Sequence, residues 1–114
     1  MKLTWMLPAA VAVLLLQLSS TAQAFECPKH FATAQATIDK ATLSMMGMED
    51  RMSKEDVARI QAHIGNAKMT LAEAIFHHEN PEGLHHHARA IMRASAAMGH
   101  ALAAVSLHDA LMKQ

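Results

Sequence analysis

The chain is 114 residues long, with 9 His, 10 Met, 1 Cys, no Tyr and a formal net charge of zero. That length accommodates one small domain and excludes a multidomain enzyme; with Lys plus Arg and Asp plus Glu each at 10, no basic surplus exists to neutralise phosphates, which argues against a nucleic-acid partner. The excess lies in His and Met, whose nitrogen and sulfur lone pairs are the usual ligands for copper, zinc and nickel.

Residues 1–24 read as a secretory signal peptide. Lys2 supplies a positive start, Leu7 to Leu18 is almost wholly apolar, and Ala22-Gln23-Ala24 is a small-x-small cleavage site, with the cut expected after Ala24. Pro8 and Gln17 interrupt the apolar run and leave it short for a bilayer core of about 30 Å. With no second apolar stretch evident, the processed chain is expected to be periplasmic or secreted and not membrane-spanning. Cys27 follows Phe25-Glu26 rather than a small residue, so it is not placed as a lipid acceptor.

Residues 25–114 are then expected to form a single helical domain, which keeps every His, the only Cys, and all the Met except Met1 and Met6. About a fifth of this part is Ala, and Phe25, Phe31 and Phe76 are its only Phe, Tyr or Trp residues. A small core so thin in large side chains has little stability in reserve, and a ligand or a second copy would add to it. One Cys cannot close an internal disulfide. In an oxidising compartment it pairs between chains, reacts with small thiols, or is protected as a metal thiolate.

Helical spacing runs through three segments, with no competing alternation. Helix 1 is expected over about 28–48, with Pro28 in its first turn and an inward stripe of Cys27, Phe31, Ala34, Ile38, Ala41, Met45 and Met48. Helix 2 is expected over 54–79, opened by Ser53 with Asp56 three residues on, a variant of the capping box, and striped by Val57, Ile60, Ile64, Ala67, Leu71, Ala74 and His78. Helix 3 is expected over 81–112, with Asn80 as its N-cap and Pro81 at its first position. Its inward face reads as Leu84, His87, Ile91, Ala94, Met98, Ala101, Val105, His108 and Met112, and a neighbouring stripe through Ala88, Ser95 and Leu102 is also allowed. Short connections make the neighbours antiparallel, so the fold class is all-α, a small up-down-up three-helix bundle. Helix 3 is expected to be the longest, overhanging helix 1 with Leu107, Leu111 and Met112 and so inviting a homodimer.

That topology gathers donors at two poles. At one, Cys27 and His30 meet His77, His78, His85, His86 and His87. Cys27 and His30 are three apart on one helix, and a thiolate with three imidazoles makes a tetrahedral set that suits Zn(II) and also accepts Cu(I). The helix macrodipole at Cys27 would favour thiolate over thiol, and Glu79 and Glu82 would orient imidazoles. At the other pole, Met45, Met46, Met48 and Met52 surround the first turn, with His63 and Met98 brought alongside. Thioethers with one imidazole suit Cu(I), whereas Met on a stripe also serves as flexible core filler. His100 projects from neither stripe and reads as solvated. His108 either packs near Met52 or faces solvent.

No Cys-x-x-Cys-His, Gly-rich phosphate loop or His-Glu-x-x-His occurs, and so small a bundle offers no evident cleft, so the chain is not expected to be an enzyme. Its exported, helical, Met- and His-rich composition is similar in kind to bacterial periplasmic metal-resistance proteins. It departs from the Cys-packed copper-storage bundles in having a single Cys, and it has no LTxxQ repeat of the periplasmic stress-chaperone type. The expected function is binding of a copper or zinc ion for buffering, carriage or resistance. The alternative is a structural or interaction module without metal, which dimerises or binds an envelope partner and uses His as a pH-dependent surface.

Overall fold

The computed structural model describes residues 7–83 and 85–114, with side chains from Glu26 onward. Among these residues the chain forms three α-helices and no strand: α1 (Leu7–Met45), α2 (Lys54–Glu79) and α3 (His86–Met112), with one 3-10 turn at Glu49–Arg51. Residues 1–6 and the side chains of residues 7–25, on which most of the signal-peptide reading falls, lie outside the described residues, as does Leu84 of the expected third stripe.

The helix ends follow from local chemistry. Pro28 does not open the first helix; it lies inside α1, whose backbone is helical from Leu7. Pro28 offers no N–H to the carbonyl of Ala24, four residues back. At the other end α1 stops at Met45 rather than Met48, because Gly47 takes a left-handed φ of 77°, a conformation glycine adopts at little cost. The N–H groups of Met46 and Met48 then donate to the carbonyls of Leu43 and Met45 at 3.1 and 3.2 Å.

The bounds of α2 are those expected. Ser53 Oγ accepts the N–H of Asp56 at 3.1 Å and donates to Asp56 Oδ2 at 2.8 Å, so the capping acid meets the hydroxyl rather than the Ser53 backbone. Asn80 does not cap α3; it closes α2. Its backbone N–H and its Nδ2 both donate to the Phe76 carbonyl, at 2.9 and 3.0 Å. Its φ of −118° and ψ of 73° fit the residue before a proline, which is pushed out of the helical region. Gly83, with φ of 85°, turns the chain, and His86 Nδ1–H donates to the Gly83 carbonyl at 2.6 Å. Consequently α3 begins at His86 and not at Pro81.

Two core clusters fix the topology. One joins Ala34 and Ile38 of α1 to Ala67 and Leu71 of α2 and to Ala97 and Ala101 of α3. The other joins Ala41 and Met45 to Ile60 and Ile64 and to Ala104 and Val105. Between the two, numbering rises in α1, falls in α2 and rises in α3, which is the up-down-up order. The expected inward faces of α1 and α2 are the observed ones: Cys27, Ala34, Ile38, Ala41 and Met45 are buried on the first, and Ile60, Ile64, Ala67, Leu71 and Ala74 on the second.

Every described member of the expected α3 stripe is buried or half-buried, Ala94, Ala101 and Val105 fully, and the deepest line is displaced from it to take in Ala90, Ala97 and Ala104. The buried residues of α3 are Ala90, Ala94, Ala97, Ala101, Ala104 and Val105. Ile91, Met98 and Met112 are half-buried, and Ser95 and Leu102 of the neighbouring stripe are exposed. Small side chains let α3 sit close to both neighbours while α1 and α2 touch each other less; larger ones then pack at the flanks, Met98 on the first cluster and Leu107 and Leu111 on the second. Starting at His86 makes α3 27 residues long against 26 for α2. α3 does run on past the level of Met45, the last residue of α1, but that end is not bare: Leu107 and Leu111 pack on the second cluster, as Val57 and Met52 do, and Met112 is half-buried; the longest helix is α1, at 39 residues. One further correction concerns hydropathy: an 18-residue window of α3 reaches a mean hydropathy of 1.3, long and apolar enough by length and composition to cross a bilayer. A core helix meets the same criterion, and the alanine face of α3 is covered by the other two helices.

Candidate metal centre

Three side chains from three helices converge where α2 ends and α3 begins. Cys27 is fully buried on α1, His78 lies in the last turn of α2, and His87 in the first turn of α3. One donor atom from each lies within 4.8 Å of the other two. Cys27 Sγ is 3.9 Å from His87 Nδ1 and donates to the His87 carbonyl at 3.8 Å. The rings of His78 and His87 are centred 5.6 Å apart, and Phe31 meets His78 edge to face at 5.5 Å. His78 Nδ1 is buried with no hydrogen-bond partner, and an unsatisfied buried nitrogen of this kind is costly unless something binds it.

The electrostatics differ from the expectation for Cys27. Burial pushes its thiol above the ordinary 9.0, the nearby Glu26 carboxylate adds to the rise, and a backbone hydrogen bond opposes it. With α1 helical from Leu7, Cys27 lies in a helix interior, so the positive end of a macrodipole does not act on it. A metal must therefore displace the thiol proton. His87 is shifted the other way: burial first, then His86 and His78, holds its imidazole below the ordinary 6.5. It thus presents a neutral lone pair near neutral pH, the form that ligates.

Of the seven residues expected at this pole, the fold brings three together. His30, one turn after Cys27, lines an open groove with Glu26, Lys29, Thr33 and Met98. His77 packs edge-on to Phe76, with ring centres 6.0 Å apart. His85 is exposed. His86 is held by the Gly83 carbonyl and lies against the His87 ring at 3.8 Å. Glu79 and Glu82 are exposed. The difference is angular: consecutive histidines project 100° apart on a helix, so one of each run faces the core.

The methionine-rich end is arranged otherwise. Met45 is 5% exposed within the second core cluster, and Met46 is 67% exposed. Met48 Sδ is 3.9 Å from Arg51 Nη1, and Met52 packs on the second cluster. Met98 lies with Phe31 and Ile75 on the first cluster, away from the turn. His63 faces His100 across α2 and α3 with ring centres 6.2 Å apart, and its Nδ1 is buried without a partner. His100 is therefore half-buried rather than solvated. Its pairing with His63 was hidden until the rotation of α3 was known. His108 is half-buried, with Nδ1 3.1 Å from Asp109 Oδ1 and Nε2 buried without a partner.

No protein-family model, curated protein or solved structure matches this chain. What the site can do is therefore argued from its own donors: a buried sulfur and two half-buried imidazoles, already close together.

Proposed function

We propose that this chain is an exported small helical protein that binds copper or zinc at Cys27, His78 and His87, for buffering, carriage or resistance in the periplasm. The observation that carries the reading is the convergence of one thiol and two imidazoles from three different helices within 4.8 Å. Thiol and imidazole are the donor types that copper and zinc share. The apolar run from Leu7 to Leu18 and the Ala22-Gln23-Ala24 site supply the argument for export. Binding rather than catalysis fits the burial of Cys27, whose sulfur no bulky substrate can approach.

Anaerobic titration with Cu(I) and with Zn(II), each against a competing chelator, tests the reading. The expected result is one ion held more tightly than by a short His-rich peptide, with the gain lost in Cys27→Ser and in His78→Ala. Peptide-like affinity unchanged by both substitutions would overturn it.

A second reading, a self-associating or envelope-binding module without metal, is favoured by the outward side chains of α2 and α3. Met69 is 58% exposed, Phe76 61%, Met92 71% and Leu102 50%. It predicts an assembly that persists in chelator. Size-exclusion chromatography with and without EDTA separates the two, because metal-dependent melting with an unchanged monomer favours the first.

A further inference from the structure

Resting on the reading that this cluster holds a metal, we infer that its ion is monovalent copper, three-coordinate through Cys27 Sγ and one imidazole nitrogen each from His78 and His87. Two features of the structure carry the choice: the number of donors and their charge.

Among the described residues the cluster has three donors and no fourth His, Cys, Asp or Glu. The nearest imidazoles are otherwise engaged, His86 on the Gly83 carbonyl and His30 in the groove beside Lys29 and Thr33. Zinc in closed sites takes four protein ligands in a tetrahedron, and its fourth would here have to be water. Soft donors in low coordination select Cu(I) instead.

Charge points the same way. One thiolate and two neutral imidazoles carry a charge of minus one, which Cu(I) cancels. Zn(II) leaves a net positive charge, which the exposed Glu26 carboxylate felt at Cys27 offsets only in part. The described residues bury no charged side chain anywhere, and Glu26, Glu79 and Glu82 are all exposed. Ala34 and Ile38, the next residues of the inward α1 stripe beyond Phe31, continue an apolar interior. An uncancelled charge beside it is unfavourable.

Spacing permits either ion. With metal–sulfur and metal–nitrogen bonds of about 2.3 and 2.0 Å, a sulfur and a nitrogen on a tetrahedral ion stand about 3.5 Å apart, and on a trigonal ion about 3.7 Å. The Cys27 Sγ to His87 Nδ1 distance is 3.9 Å and the three donors lie within 4.8 Å of one another, so a small inward movement completes either shell. Binding exchanges one proton for the ion: Cu(I) forms a bond to Sγ, the S–H bond breaks, and the proton leaves to solvent, with no electron transferred.

The test is a competition between Cu(I) and Zn(II) for the anaerobic full chain, followed by X-ray absorption at the copper and zinc edges. Expected are one sulfur and two nitrogens around copper, retention of copper in the presence of equimolar zinc, and a loss of Cu(I) affinity in Cys27→Ser larger than the roughly 10–100-fold typical of removing an outer-shell partner. His30→Ala and His86→Ala should leave the copper spectrum as it is. The wild-type spectrum needs no variant to fold, so the coordination number stands by itself. Zinc bound in preference to copper, or a four-coordinate copper shell, overturns the ion assignment and leaves the metal reading intact. Failure to retain either ion overturns both.

Discussion

Both ends of the bundle carry candidate donors, imidazoles with one thiol at the first and thioethers at the second, and the fold treats them differently. At the Met45 end the helices carry Ile60, Ile64 and Val105, large enough that Met45 joins them as core filler and Met46 is left in solvent. At the Cys27 end the first cluster sets Ile38 and Leu71 among four alanines, Ala34, Ala67, Ala97 and Ala101, and beyond it Cys27, His78 and His87 meet. Thioether groups are apolar enough to be absorbed by a core, whereas an imidazole keeps a need for partners: His63 faces His100, His108 faces Asp109, and His78 and His87 face the thiol.

This contrast has measurable consequences. Ile38→Ala, which empties a fully buried site next to the alanine layer, should cost about 2–5 kcal/mol in urea unfolding; a loss below 1 kcal/mol would show that the thin cluster contributes little. A bound ion should stabilise only the Cys27 end: at a hundredfold excess over Kd the gain is about 2.7 kcal/mol. Calorimetry should find it abolished in Cys27→Ser and intact in Met45→Leu. Ala101→Leu overfills the close α3 contact and should cost about 1–3 kcal/mol, with helix content retained by circular dichroism.

Stability against pH probes the Cys27 end alone. Because burial holds His87 below 6.5, the unfolded chain takes up its proton first. Metal-free stability from this group is therefore full above that value and declines as pH falls through and below it. Because Cys27 is held above 9.0, the unfolded chain loses the thiol proton first, and stability declines as pH rises past 9.0. Urea midpoints measured across pH should form a plateau between these limits, and His87→Gln should flatten its acid edge. The smallest effect is expected at Met46, where Met46→Ser on the open surface should stay within about 0.5 kcal/mol and leave metal affinity unchanged.

Much of this was legible in the sequence, for reasons that also mark where legibility stopped. Ser53 with Asp56 and the Asn80-Pro81 break fixed both ends of α2, and the stripes of α1 and α2 stood out because Ile and Leu alternate there with Lys, Glu and Gln. In α3 the background is Ala and Met on nearly every face, so several stripes are equally apolar, and close approach to two neighbours decided among them. Asn80 can cap either kind of helix end, and only its bonds to the Phe76 carbonyl showed which. Cys27, His78 and His87 lay on expected inward stripes and met. His30, His77, His85 and His86 were placed at the right end of the bundle, but sequence proximity does not specify direction around a helix axis. Met98 and His63 depended on the level of one helix against another, which spacing within a helix does not contain.

Were the chain cut after Ala24, where the small-x-small site stands, Pro28 would bear on that step. A peptidase holds its substrate extended, so a helix must open around the bond to be cut, and Pro28 removes one of the hydrogen bonds resisting that opening, the one due to the Ala24 carbonyl. Cleavage after Ala24 would leave Pro28 in the first turn of the shortened helix, where no N–H is needed. It would also move Cys27 from a helix interior to a helix start, whose positive pole draws out the thiolate. Processing would then do more than shorten the chain: it would ease the loss of the thiol proton that ion binding at Cys27 requires.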